Sequence, residues 1–225
     1  PYGGFFTTFA DGVRPEEALQ GLGDVYELLG VGFKPYSCCG SNHTSIDVML
    51  ELKKNHPDLI PSNVDRIKID TTTTTKSHVG WEYVPSGVIG AQMNLAYAVA
   101  VTLLDGECFT DQYASHRLAS PEVLDLIEKI EVTADPSLDR LGREGRHAIR
   151  MEVYLSNGEV LTGNKTHARG SMVEPLTPKE VEDKFDKLTE RVLDAAEVSK
   201  LKDTILNLEK VKDIRELTKH LCKGT

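Results

Sequence analysis

The 225-residue sequence predicts an α+β fold with an antiparallel sheet. Three observations lead to this class. Strand-like runs are confined to the middle of the chain, helical patterns occupy both ends, and the two kinds of element do not alternate regularly. A parallel, doubly wound sheet would require regular strand–helix alternation. We therefore expect a mixed segment inserted between terminal helices that belong together.

The first helical segment is predicted after Pro15, because a proline followed by two acidic residues is typical of a first helical turn. Its apolar residues continue to Leu29. A second helix is expected after Ser41 or Asn42, either of which is a suitable N-cap, and Pro57 stops it.

The central region begins with a strand predicted over residues 63–75. Its last five residues are threonines, which are expected to extend the strand or its exit because Thr favours β-structure. Residues 76–86 are predicted to form a loop. Residues 86–106 carry apolar and small side chains at helical spacing, which indicates one continuous buried helix.

A hairpin is predicted from residues 148–155 and 159–166, because both runs alternate and Ser156-Asn157-Gly158 separates them. A short amphipathic helix over 121–129 and a strand from Ile130 precede it. The final helices begin behind Thr177, which is followed by proline and then by glutamate in the capping-box position.

The composition restricts the classes of partner. The net charge of -9 and pI of about 5.3 oppose binding to nucleic acid and to anionic membranes. No apolar run is long enough to span a membrane. The sequence also lacks the basic region followed by an apolar core that is typical of a secretory signal. Cys38, Cys39, Cys108 and Cys222 read as reduced thiols, which favours a cytoplasmic location.

The stretch FKPYSCCGSNHTSID, residues 33–47, is the leading candidate site. Lys34 is either a solvated surface charge or an anion-binding residue, because its loop ends at a helix N-terminus, where free backbone N–H groups favour an anion. His43, in the first helical turn, is either a polar residue near the cap or a general acid/base. The cysteines are interpreted as packing residues because no Cys-His-Asn/Asp order is evident.

Other candidates are Lys76 and His78 on the predicted loop, and Gln92 and Tyr97 within the apolar helix. Gln92 and Tyr97 are either structural hydrogen-bonding residues or ligand contacts. The histidines lack metal-ligand spacing, so no metal is expected. Nucleotide-binding and GxSxG motifs are missing from the sequence, which removes support for those classes.

Three ordered stretches resemble one family. KPYSCCGSNHTSID is similar to the "K-P-Y-P-x-C…H-x-x-I-D" signature of the MmgE/PrpD family, AQMNLAYAVAVTLLDG to its buried-helix motif, and EPLTPKEVEDKF to its return into C-terminal helices. The family includes 2-methylcitrate dehydratase, cis-aconitate decarboxylase and iminodisuccinate epimerase. Ser37 replaces the usual proline.

The resemblance implies a homodimeric enzyme without metal or organic cofactor that acts on a small di- or tricarboxylate. It implies an all-helical domain formed by both chain ends and a smaller α+β lid. We therefore expect residues 1–33 to end one helical-domain segment, 34–170 to form the lid, and 171–225 to return to the helical domain.

The resemblance also implies roles for residues. Lys34 falls on the active-site lysine and His43 on the following histidine. Cys39 falls where cis-aconitate decarboxylase has a histidine, so it joins the substrate-binding candidates and disfavours decarboxylation. Lys76 or His78 lies near a further site position, and Gln92 and Tyr97 fall in the buried-helix motif.

The leading functional prediction is a cofactor-independent lyase of the 2-methylcitrate dehydratase type, which abstracts a proton α to a carboxylate. A family isomerase, epimerase or decarboxylase is the alternative. Family members are about twice this length, so we expect a C-terminal half whose further acid/base residues lie elsewhere. A non-catalytic lid or assembly module, binding through the apolar faces of residues 178–225, is the alternative of another class.

Overall fold

The computed structural model describes residues 4, 8–9 and 14–220. The chain divides into two compact units, Pro1–Gly32 and Phe33–Thr225. In the first unit, the short helix predicted from Pro15 is present as a 3₁₀ helix, Pro15–Leu19, and its expected continuation is a second 3₁₀ helix, Glu27–Gly30. Two glycines between these helices adopt positive φ, which interrupts a helix, and the apolar side chains around them are exposed.

The second unit contains, in its described part, nine α-helices and four strands. The helices are α1 His43–Asn55, α2 Thr73–Val79, α3 Val88–Gln92, α4 Leu95–Asp105, α5 Pro121–Ile127, α6 Pro136–Asp139, α7 Pro178–Thr189, α8 Ala195–Leu206 and α9 Arg215–Thr218. The strands are β1 Val64–Thr71, β2 Ile130–Ala134, β3 Ile149–Leu155 and β4 Val160–Lys165.

The four strands form one sheet in the order β2-β1-β3-β4. The β1/β3 and β3/β4 pairs are antiparallel, whereas β1 and β2 are parallel. The α+β class is therefore confirmed, but the sheet is mixed rather than purely antiparallel. The chain between β1 and β2 passes through α2 to α5, and such a long crossover allows parallel pairing.

Helices α1 and α4 pack together and against one face of this sheet. Gly163 on β4 permits the close approach of α1, because a Cβ atom there would lie 2.6 Å from Val48 Cγ1. The inward side chains of β1, Ile67 and Ile69, are fully buried in this interface. Lys68 between them and Asp70 after them are polar, as expected for a sheet with one buried face.

The polythreonine prediction holds only for its first residue. Thr71 ends β1, but Thr72 caps α2 by accepting a hydrogen bond from Thr75 N. Threonine is a good N-cap, and here the capping geometry overrides its strand propensity. The predicted loop over residues 76–86 is therefore wrong at its start, because α2 extends to Val79.

The predicted continuous helix over 86–106 is also wrong. It breaks at Met93–Asn94, and the Asn94 side chain caps α4 by accepting from Tyr97 N.

Strands β3 and β4, on either side of Gly158, form the predicted hairpin, and Gly158 has φ +87°. Thr177 and Glu180 form the predicted capping box of α7. Across the described residues, no helix has the length and apolar character that a membrane crossing requires.

Candidate active site

The loop that carries Lys34 is fixed to the segment after β4. Phe33 N donates to Gly170 O at 2.8 Å. Gly170 has φ +85°, and a Cβ atom at this position would lie 2.0 Å from Phe33 O. Only glycine therefore fits this contact without displacing the loop.

A buried carboxylate holds the next part of the loop. Tyr36 OH donates to Asp47 Oδ1 at 2.5 Å, and Arg169 N donates to Asp47 Oδ2 at 2.8 Å. Burial raises the pKa of the Asp47 carboxyl, although both hydrogen bonds act in the opposite direction. The Arg169 guanidinium is in turn ion-paired with Glu180 of α7. Asp47 thus joins the loop, α1 and the segment before α7.

A cleft of about 500 Å³ lies beside this loop, and we call it the Lys34 cleft. It brings together three of the predicted site residues, Lys34, Cys39 and Gln92, and adds Lys184 from α7. Ile89 and other apolar residues complete the lining. Among the described residues that line the cleft, two are lysines and none is acidic. In a chain with net charge -9, this is a locally positive surface suited to an anion.

Gln92 connects α3 to the Lys34 loop through three hydrogen bonds. Its side-chain Nε2 donates to Ser37 O at 2.8 Å. Its backbone carbonyl accepts from Cys39 N at 3.0 Å and from Asn42 Nδ2 at 3.1 Å. Gln92 therefore positions the loop, and it also lines the cleft.

The predicted catalytic histidine, His43, is the first residue of α1 and only 3% exposed. Its ring lies edge-on to Tyr36, with 5.1 Å between the ring centroids. Tyr36 lines the cleft, so His43 lies behind it rather than in the lining. Within the described residues, His43 Nε2 has no hydrogen-bond partner, and the same holds for the nearby Asn42 Oδ1 and Ser45 Oγ.

The cysteines divide into buried and cleft-lining thiols. Cys38 and Cys108 are buried, and a hydrogen bond between them, followed by burial, raises the pKa of the Cys38 thiol. Such a thiol carries little thiolate, which makes it a poor nucleophile. Cys39 is half-buried and lines the cleft. These three are unbridged, and Cys222 lies outside the described residues.

Comparison with known proteins places these features in a family. A family model described as the MmgE/PrpD C-terminal domain matches residues 36–210. The chain belongs to the MmgE/PrpD family. This match includes most of the Lys34 cleft and all four strands.

Curated relatives agree with this membership. The chain is 30% identical to the cis-aconitate decarboxylase-like protein oryM of Aspergillus oryzae, over 96% of this chain and 47% of that protein. It is 29% identical to a cis-aconitate decarboxylase of Aspergillus terreus over 96% and 46%, and 24% identical to that of Homo sapiens over 99% and 46%. The chain thus spans about half the length of the curated relatives it matches.

The remaining predicted site residues of this MmgE/PrpD chain lie away from the Lys34 cleft. Lys76 is on α2 and lines a different cleft of about 500 Å³, and His78 is exposed on the same helix. Tyr97 is 0% exposed, and its hydroxyl donates to Gln112 O at 2.5 Å. The structure therefore does not bring these three residues to Lys34.

His147 is half-buried beside α2. Its Nδ1 lies 3.0 Å from Thr75 Oγ1. Burial, followed by the charges of Arg146 and His78, lowers the pKa of His147 to about 4. The imidazole is therefore neutral near pH 7.

Sequence reasoning missed Lys184. The sequence contains a signal for it, because Val181, Phe185 and Leu188 recur at helical spacing after the Thr177 cap. Lys184 occupies the i+3 position from Val181 on that same helical face. A lysine within an inward-facing stripe, rather than on the opposite face, indicates a charge directed towards the body of the protein.

Proposed function

We propose that the full-length protein containing this chain is a cofactor-independent lyase that acts on a small di- or tricarboxylate. The observation that carries the proposal is the Lys34 cleft, which presents two lysines and, among its described lining residues, no acidic side chain. Membership of the MmgE/PrpD family and the curated cis-aconitate decarboxylases support the same reaction class.

In the proposed reaction, Lys34 binds a substrate carboxylate whose α-carbon loses a proton. Negative charge moves onto that carboxylate in the transition state, so a prepositioned ammonium stabilises the transition state more than the ground state. The Lys34 ammonium already donates to Cys38 O at 3.4 Å, which holds it beside the cleft. Its remaining N–H groups are available to substrate oxygens.

The proton acceptor is proposed to lie outside the described lining of the cleft. That lining includes no His, Asp or Glu, and burial raises the pKa of the Tyr36 hydroxyl further above neutrality. His43, behind Tyr36, is retained as an acid/base participant. The curated relatives are about twice as long as this chain, so we propose that the main base belongs to the additional sequence.

Dehydration and decarboxylation are the two lyase reactions to distinguish. The names of the curated relatives favour decarboxylation. Cys39 in the cleft favours dehydration, because the resemblance places a decarboxylase histidine at this position. Isomerisation begins with the same proton removal and is the third possibility. A homodimeric, cytoplasmic enzyme with residues 34–170 as a lid inserted into a helical domain completes the proposal.

The test is an assay of the full-length protein against di- and tricarboxylates, including 2-methylcitrate and cis-aconitate, that measures CO₂ release, water addition or loss, and stereochemistry. We expect Lys34→Ala to lower kcat at least ~100-fold, as for the loss of one electrostatic donor. Lys179→Ala is the control, because Lys179 is an exposed α7 lysine ion-paired with Asp183. Near-normal turnover by Lys34→Ala would refute the role of the cleft.

A non-catalytic assembly module is the second candidate. The C-terminal segment, residues 178–220, leaves apolar side chains exposed, among them Val192, Leu206 and Ile214 at 58–63%. These residues are proposed to bind a second copy of the protein. A triple substitution to serine should convert a dimer to a monomer in light scattering. An unchanged assembly state, or catalytic turnover by the wild type, would argue against a purely structural module.

A further inference from the structure

Lys184 reaches the Lys34 cleft from a distant part of the sequence. It lies on α7, 150 residues after Lys34, and its ammonium donates to the Lys34 backbone carbonyl at 2.8 Å. Both lysines line the same cleft. The fold therefore places a second cation next to the residue that carries the proposed carboxylate-binding role.

The charge pattern of α7 separates Lys184 from the other lysines of this helix. Lys179 is ion-paired with Asp183, and Lys187 is ion-paired with Glu107. In the described part of the protein, Lys184 forms no ion pair, and a neutral carbonyl is its hydrogen-bond acceptor. An ammonium has three N–H donors, so two remain for another partner.

We propose that Lys184 is a substrate-binding residue that recognises a second carboxylate, so the substrate carries at least two carboxylates, one for each lysine. This inference rests on the proposed function. Two ammonium groups in one cleft repel each other, and the described lining supplies no negative charge to offset that repulsion. A dianion places a carboxylate against each lysine within the cleft, whereas a monocarboxylate places one against only one of them.

A purely structural role for Lys184 makes a different prediction. If its ammonium only fastened α7 to the Lys34 loop, its removal would lower stability and activity towards every substrate equally. A carboxylate-binding role changes the preference for dicarboxylates over monocarboxylates and acts mainly on KM. Lys34, which faces the developing charge, acts mainly on kcat.

The experiment uses the full-length protein and three variants. Lys184→Met keeps the apolar stem, Lys184→Gln keeps an N–H donor, and Lys184→Arg keeps the positive charge. Lys187→Met is the matched control, one turn further along α7 and outside the described lining of the cleft. We measure kcat and KM for the best carboxylate substrate, and inhibition constants for succinate and butyrate, which have the same chain length.

We expect both neutral variants to raise KM at least about 10-fold, as for a lost charged hydrogen bond, with kcat changed less than about 3-fold. The preference for succinate over butyrate should fall by a similar factor. Lys184→Arg should retain most of that preference, and Lys187→Met should match the wild type. Should one neutral variant fail to fold, the other carries the comparison.

Two negative results have different meanings. If the wild type is an active lyase but the neutral variants keep its KM and its succinate preference, the role of Lys184 is overturned and the proposed function stands. If the wild type neither turns over nor binds any di- or tricarboxylate, the proposed function fails and the inference fails with it.

Discussion

Replacement of Asp47 tests whether one buried carboxylate organises the candidate site. In Asp47→Ala, Tyr36 OH and Arg169 N both lose their acceptor. A buried donor left without an acceptor costs about 1–3 kcal/mol. Two such donors, less the relief from no longer burying a charge, predict a loss of about 2–4 kcal/mol in the free energy of unfolding.

Urea denaturation of the purified protein measures this loss. Glu51→Ala is the control, because Glu51 is exposed on the same helix four residues later, and its replacement should change stability by less than about 0.5 kcal/mol. Tyr36→Phe alone should cost about 1.5–3 kcal/mol, the range for a hydrogen bond to a charged group. Because the two residues share one hydrogen bond, their effects should not add in the double variant.

The pH dependence gives an independent check of the same carboxyl. Burial raises the pKa of Asp47 above its usual 3.8, so the folded protein holds this proton more tightly than the unfolded chain. Stability from this group is therefore full below pH 3.8 and is lost as pH rises through the folded pKa. Relative to Asp47→Asn, the wild type should lose stability as pH rises. The reasoning is refuted if the losses in unfolding free energy of Asp47→Ala and Tyr36→Phe add in the double variant. It is also refuted if Asp47→Ala costs no more than Glu51→Ala.

Two further predictions concern positions around the site. The pKa of His147 is lowered from 6.5 to about 4, so the unfolded chain binds the proton first, and the wild type should lose stability as pH falls from 6.5 to 4. With an allowance for solvent screening, the loss in unfolding free energy over this range should be roughly 1–2 kcal/mol smaller in His147→Gln than in the wild type, as measured by denaturation. Gly170→Ala should cost about 2–4 kcal/mol, because φ is +85° and the new Cβ would meet Phe33 O. Gly158→Ala, with φ +87° and open space around it, should cost only about 1–2 kcal/mol in the same denaturation series.

Elements with local signals were predicted well. The capping box at Thr177 and the hairpin at Gly158 depend on residues within a few positions of each other, so the sequence contains the whole signal. The break before α4 was missed because Asn94 lies in a nearly apolar run and its capping role depends on local geometry. The parallel pairing of β1 with β2 depends on which edge of the sheet a strand distant in sequence joins. The alternation of apolar and polar residues along a strand does not encode that choice.

The site shows the same division. Lys34, Cys39 and Gln92 were predicted and do line one cleft, because they lie in two motifs that pack together. Tyr97 shares a motif with Gln92, yet the helix break turns it into the core among Tyr83 and Tyr113. Lys184 joins the site only through tertiary packing of α7.

Helix α7 contributes a lysine to the cleft although the helix contains no fully buried residue. Segments with little buried apolar surface open at a lower free energy than the core does. The amides of α7 should therefore exchange with deuterium before those of β1 and β3, while the sheet stays closed. Each such opening would move Lys184 away from Lys34. The cleft then alternates between a state with two cations and a state with one, while the core stays folded.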